Sequence, residues 1–197
     1  KETSFKNRGE ATVDIAQEFL IKVFGKNNVY REVRVIRDKK GDITDIDMLA
    51  VIGNKAVIIQ SKSKKLTTLA QRGDEKKLRE DFKGAIQSAY DQGKKCRSAV
   101  VDKSNKLASK DGKEIKLEES IDDAYIICLT SDSYPAVAHQ IETYLEKDEA
   151  DPYPISLSLF DLDILAFYLK DPFEFLYYIR QRINLTGYFK ANDEMTF

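Results

Sequence analysis

Residues 45–64 read DIDMLAVIGNKAVIIQSKSK. Two apolar runs, Met48–Ile52 and Ala56–Ile59, flank the pair Gly53-Asn54. β-Branched residues around a two-residue loop with glycine first predict a β-hairpin on a primed turn. With Gly53 and Asn54 as the loop, Ile52 pairs with Lys55, Asp47 with Gln60, and Asp45 with Lys62. Alternation then puts Leu49, Val51 and Ile58 on one face and Met48, Ala50, Val57 and Ile59 on the other. A strand pair apolar on both faces calls for helices above and below it. The same alternation sends Asp45, Asp47, Gln60 and Lys62 to one face at the hairpin's open end. Directly opposed Cβ atoms lie roughly 4.5–5.5 Å apart, so two such side chains can share a cation.

The flanking sequence supplies those helices. Val13, Ala16, Leu20, Val23 and Phe24 recur at helical spacing within Ser4–Lys26, and Val29–Arg37 (VYREVRVIR) alternates like a strand with one wet face. A turn is expected over Asp38–Asp42. Beyond the hairpin, Ser63–Asp74 reads as a polar connection, and Glu75–Lys95 as an amphipathic helix with Leu78, Phe82, Ala85, Ile86 and Ala89 inward. Arg97–Glu119 is expected to hold a strand and a lysine-rich hairpin, followed by a buried strand at Asp123–Leu129. A helix at Pro135–Lys147 and a strand at Ile155–Leu159 come next, then helices at Asp161–Lys170 and Pro172–Asn184. Asp171 as cap, Pro172 at the first position and Glu174 beyond make a strong helix start. The fold class expected is α/β (mixed α+β), a mixed sheet between helices. Residues 1–130 form the expected core, and 131–197 an α/β to helical C-terminal extension packed on it.

Composition narrows the chemistry. The chain has 197 residues, is 42% hydrophobic and 33% charged, and carries a formal net charge of −1. No apolar run nears the ~20 residues that span a bilayer, and no secretory leader is visible, so a cytoplasmic protein without a membrane partner is expected. A start at Lys1 fits a domain of a larger parent chain. Two cysteines, Cys96 and Cys128, offer neither a disulfide framework nor zinc spacing and read as buried thiols. The single His139 excludes histidine-rich metal sites. Basic residues crowd between Lys62 and Lys116, whereas from Leu117 to Phe175 only Lys147 and Lys170 are basic. That segregation suits a polyanion on one side; solvated helix faces are the plain alternative.

With these residues in place, the sequence resembles the PD-(D/E)xK nuclease superfamily, and within it the Mrr-like and NERD-like branches. Arg8-Gly9-Glu10 opens the first helix, TDIDML delivers Asp47, IIQSK delivers Gln60-x-Lys62, and a helix bearing Gln87 and Gln92 follows. Ile46 stands where the motif's name has proline, and Gln60 where it has an acid. The resemblance covers roughly Ser4–Leu129 and implies a restriction-endonuclease-like fold. It further implies a metal-dependent phosphodiesterase, most naturally a DNA endonuclease of a restriction or phage-defence system, with RNA still open. Asp47 is then the principal metal carboxylate, Gln60 and the Ser61 carbonyl add oxygen ligands, and Glu10 restores the missing carboxylate. Mg²⁺, or Mn²⁺, is the implied cofactor. Because Gln60 is neutral, a need for millimolar Mg²⁺ or a preference for Mn²⁺ is expected.

Lys62 is the expected partner of the attacking water and the scissile phosphate; a surface ion pair with Asp45 is the alternative. Lys64, Lys65, Arg72, Lys76 and Gln87 are candidates for contacts to the nucleic-acid backbone. Phe160, Phe167, Tyr168, Phe173, Phe175, Tyr177 and Tyr178 are expected to form core or to dock a neighbouring domain or second subunit, with base stacking as the lesser alternative. Two rival readings stay open. One keeps the fold without catalysis, as a binder of nucleic acid or protein. The other is a structural domain that assembles through its tail helices.

Overall fold

The computed structural model describes residues 2–37, 41–132, 134, 141–188 and 194, with side chains from residue 9 onward. Helix α1 (Glu2–Phe24) leads into a three-stranded meander: β1 (Val29–Arg37), β2 (Gly41–Ile52) and β3 (Lys55–Lys62). Gly53 has φ 53° at the first loop position of the β2–β3 hairpin, as a primed turn requires. The pairs run from Ile52↔Lys55 to Met48↔Ile59, in the register that the loop dictates. They end there. Asp47↔Gln60 and Asp45↔Lys62 are not paired, because β2 parts from β3 at this point and continues along β1 alone.

After β3, the short helix α2 (Thr68–Gln71) precedes α3 (Glu75–Phe82), a π-helical turn (Lys83–Gln87) and α4 (Ser88–Val101). The helix expected to stop at Lys95 thus runs on through Arg97. Ala99 and Val100 hold the added turn, since both are buried against the sheet. The lysine-rich hairpin is there as β4 (Asn105–Ala108) and β5 (Glu114–Ile115). Next come β6 (Asp123–Thr130), α5 (Ile141–Tyr144), β7 (Ile155–Ser158), α6 (Leu159–Tyr168) and α7 (Pro172–Asn184). Asp171 caps α7 as expected, accepting from the amides of Phe173 and Glu174. The expected turn at 38–42, the start of the helix at 135–147, His139 and the side chain of Arg8 lie wholly or partly outside the described residues.

The strands form one seven-stranded mixed sheet in the order β5-β4-β1-β2-β3-β6-β7, with β6 parallel to β3 and β7 parallel to β6. Helices cover both faces. Met48, Ala50, Val57 and Ile59 meet Ala16, Leu20, Val23 and Phe24 of α1 and the apolar sides of α6 and α7. Leu49, Val51, Ala56 and Ile58 meet Cys96, Ala99 and Val100 of α4. At Gly93, α4 approaches so closely that a Cβ there would stand 2.6 Å from Cγ2 of Ile126 on β6. The C-terminal third completes this core: β7 is buried along its whole length, and Phe175 meets Phe24 edge to face at 5.4 Å.

One irregularity prepares the site. Alternation would keep Val29 with Val33, and Met48 with Ile46, on a single face. Instead Val29 and Met48 lie in the α1-side core, whereas Val33 and Ile46 lie in the α4-side core. The ladder pairs Arg31 with Met48 and Val33 with Ile46, and skips Glu32 and Asp47 between them. Glu32 has φ 48°, the only positive φ of a non-glycine among the described residues. Both strands turn over at this step, and a left-handed residue without glycine's freedom is a local strain held by its surroundings.

Candidate active site

Asp47 emerges at the turn-over point. Its Oδ2 accepts from the backbone amide of Ser61 at 2.7 Å, across the gap where β2 leaves β3. The carboxylate faces a cavity of about 170 Å³ on the α1 side, which Gly9, Glu10 and Val13 border from the helix. Arg31, Glu32, Ser61 and Ser63 complete its lining. Burial pushes the Asp47 carboxyl above its ordinary value, with nearby Asp45 and Glu32 adding to the rise; the Ser61 amide and the Lys62 charge oppose it.

Gln60 and Lys62 turn the other way, toward α4. The expected shared face of Asp45, Asp47, Gln60 and Lys62 therefore divides, because the turn-over carries Asp47 to the α1 side while β3 keeps its alternation. Gln60 is fully buried. Its Nε2 donates to the Asp45 carbonyl oxygen at 3.1 Å and to Cys96 Sγ at 3.2 Å. The same carbonyl receives Gln92 Nε2 at 3.2 Å and the Cys96 thiol at 3.3 Å. Three donors on one oxygen fasten β2, β3 and α4 together beside the splay. The arrangement fixes the amide's orientation: Oε1 of Gln60 is left buried without a hydrogen-bond partner among the described residues. Lys62 does not pair with Asp45. Its Nζ donates to Gln92 Oε1 at 2.9 Å, so one amide of α4 binds both the lysine and the strand.

The structure thus brings Glu10, Asp47 and Ser61 together on one cavity, with Lys62 near enough to bias the Asp47 proton. Among the described residues no three carboxylate, thiol or imidazole groups gather as a preformed metal cage. The donors on the cavity are nonetheless oxygens that suit a hard cation, the carboxylates of Glu10 and Asp47; Gln60, expected as a further ligand, keeps its unpartnered oxygen buried on the α4 side, away from that cavity.

The remaining candidates are placed as follows. Lys64 reaches the buried Asp81 carboxylate at 3.2 Å, and Asp81 also takes the Thr67 amide at 2.7 Å. These contacts clamp the strand's exit, so Lys64 is engaged internally. Lys65 stands 3.9 Å from Asp132, and Arg72 and Lys76 are exposed. Gln87 is buried on the π-helical turn; its amide exchanges hydrogen bonds with the backbone of Glu146 and donates to Asp91. That bonding makes Gln87 a strut between the π-helical turn and the loop after α5. Phe175 is core and Tyr178 donates to Glu194, whereas Phe160, Phe167, Tyr168, Phe173 and Tyr177 are exposed. Glu32, Arg31 and Cys96 had no sequence signature as site residues. Gln92 was visible only as one glutamine of a helix.

Compared with protein families, with curated proteins and with solved structures, the chain matches none. No described helix is long and apolar enough to cross a membrane.

Proposed function

We propose that the protein is a metal-dependent nuclease that hydrolyses phosphodiester bonds, with DNA as its substrate and Asp47, Glu10, Gln60 and Lys62 as its working residues. The observation that carries this reading is the joining of Asp47 to the Gln60-Ser61-Lys62 strand through the 2.7 Å bond from the Ser61 amide, at a splayed sheet rim beside an acidic cavity. The order of helix, antiparallel meander, helix and parallel strand supports a restriction-endonuclease-like core.

Glu10, Asp47 and the Ser61 carbonyl would hold Mg²⁺ or Mn²⁺, with Gln60 fastening β2, β3 and α4 behind them. When bound, such an ion lowers the pKa of water and offsets phosphoryl charge. The chain's own residues do the rest. Lys62, steered by Gln92, offers an ammonium that orients the attacking water or meets the charge developing on the phosphate. Asp47, ionised, supplies the negative oxygen that a cation needs. Arg72 and Lys76, exposed beyond β3, would touch phosphates and position the strand. The exposed rings of α6 and α7 favour docking of a second copy or of a further domain. A restriction or defence role in the cytoplasm follows from the sequence resemblance alone.

The test compares wild type with Asp47→Ala and Lys62→Ala on supercoiled and linear DNA in Mg²⁺, Mn²⁺ or EDTA. Cleavage by wild type only, lost in EDTA, is the expected result. If wild type is as inert as both variants on DNA and RNA yet retains nucleic acid in a binding assay, the site is a binding site on a nuclease-like fold.

A further inference from the structure

Arg31 is the only cationic side chain lining the Asp47 cavity among the described residues. It arrives there by register: paired with Met48 on β1, it faces α1 one residue before the strands turn over. Its Nη1 is ion-paired with Asp14 of α1, which fixes the guanidinium against the helix. Nε is buried and lacks a hydrogen-bond partner, although the side chain as a whole remains 27% exposed. The ion pair with Asp14 accounts for one end of the guanidinium, and Nε is closed to solvent; the exposed remainder of the side chain borders a cavity shared with the carboxylates of Glu10, Glu32 and Asp47. Those carboxylates repel a polyanion, so a phosphate entering here needs a fixed positive donor on the wall.

We infer that Arg31 is the phosphate-binding residue of this cavity, receiving a non-bridging oxygen of the backbone phosphate that lies at Asp47. This rests on the nuclease reading for the identity of the substrate and adds to it the group that grips the phosphate from the α1 side. Arginine suits the task because its planar fork keeps one edge on Asp14 while another donor meets a phosphate oxygen. Asp14 acts through Arg31 as a positioning residue.

The experiment has two arms, run on wild type, Arg31→Ala and Arg31→Lys, with thermal unfolding showing that each is folded. In the first arm, a fluorescein-labelled DNA oligomer is titrated in Ca²⁺ and followed by anisotropy. Arg31→Ala is expected to weaken binding about tenfold or more, as the loss of a charged hydrogen bond implies. Arg31→Lys should recover part of this, and inorganic phosphate should compete with the oligomer on wild type but not on Arg31→Ala. In the second arm, cleavage in Mg²⁺ is measured with and without low-millimolar guanidinium. Arg31→Ala should be slow and regain activity with guanidinium but not with sodium chloride at equal ionic strength. Unchanged binding in Arg31→Ala, or wild type that binds no DNA, overturns the inference even if the protein proves to be a nuclease. Wild type that binds through Arg31 but never cleaves removes the nuclease reading and leaves Arg31 as a phosphate-binding residue.

Discussion

Gln92 holds Lys62 with its carbonyl oxygen at 2.9 Å and the Asp45 carbonyl with its amide nitrogen at 3.2 Å. A lysine on β3 and the backbone of β2 are thereby tied to one side chain of α4, at the place where the two strands have stopped bonding to each other. Without Gln92 the lysine keeps its charge but loses its direction, and misplacement of that kind is costly in a positioned active site. Gln92→Ala is expected to lower cleavage about 10- to 100-fold, with the Michaelis constant for DNA little changed. Steady-state kinetics on a linear substrate would check this. An equal loss of melting temperature and activity would mean that Gln92 serves the fold alone.

Gln60→Glu would install the acid of the motif that the sequence resembles, yet the surroundings select against it. Nε2 of Gln60 donates to the Asp45 carbonyl and to Cys96. A carboxylate would put an oxygen against that carbonyl in a site with no solvent. Gln60→Glu is expected to destabilise the fold by about 1–3 kcal/mol, the usual cost of a buried polar group without its partner. Urea denaturation at neutral pH measures this. A variant as stable as wild type would mean that the amide orientation is not required.

Asp47 carries a different cost. Burial raises its pKa above the ordinary 3.8, so the folded protein binds this proton more tightly than the unfolded chain does. Ionising Asp47 therefore costs stability, in full above the raised value, and the cost vanishes below the ordinary one. Asp47→Asn keeps an oxygen for the Ser61 amide and removes the charge. Its melting temperature should exceed that of wild type at pH 7.5, on a scale of about 2–4 °C per kcal/mol for a chain of this size. The gain should shrink as the pH is lowered toward 4. A gain independent of pH would contradict this origin.

The loop after β3 should be sensitive to acid for the opposite reason. Burial alone would raise the Asp81 pKa, but the Thr67 amide and hydroxyl and the Lys64 ammonium outweigh it and hold the carboxyl below its ordinary value. This stabilisation is present above the unfolded value near 3.8 and is lost as the pH falls through the lower folded value. Asp81→Asn should be less stable than wild type at pH 7, and nearly equal to it in strong acid, by calorimetry.

Much of this architecture is legible along the chain. The loop Gly53-Asn54 and the apolar runs beside it yield the hairpin register from Met48 to Ile59, because a two-residue turn leaves no alternative. Asp171 and Pro172 mark α7 through local backbone chemistry. The site is less legible. Counting by twos from Leu49 places Asp47 on the α4 side, and the turn-over of both strands, marked by the left-handed Glu32 on β1, reverses that. A glutamate gives no sign of such a backbone. The pairing of Lys62 with Gln92 joins residues 30 apart through tertiary packing, which spacing along the sequence does not encode. The mixed α/β class was readable from the order of elements, whereas the place of β7 in the sheet depends on parallel pairing with β6.

Gly93 bears on all of this from behind. It adjoins Gln92, and its missing side chain lets α4 rest on Ile126. The helix is thus seated at a height set by a hydrogen atom, and the reach of Gln92 to Lys62 is measured from that seat. Gly93→Ala, far from any substrate, would act as a shim: the overpacking costs about 1–3 kcal/mol, and lifting the helix moves the lysine's anchor with it. The tolerance of the candidate site is then set on the far side of the sheet, by one methyl group that is not there.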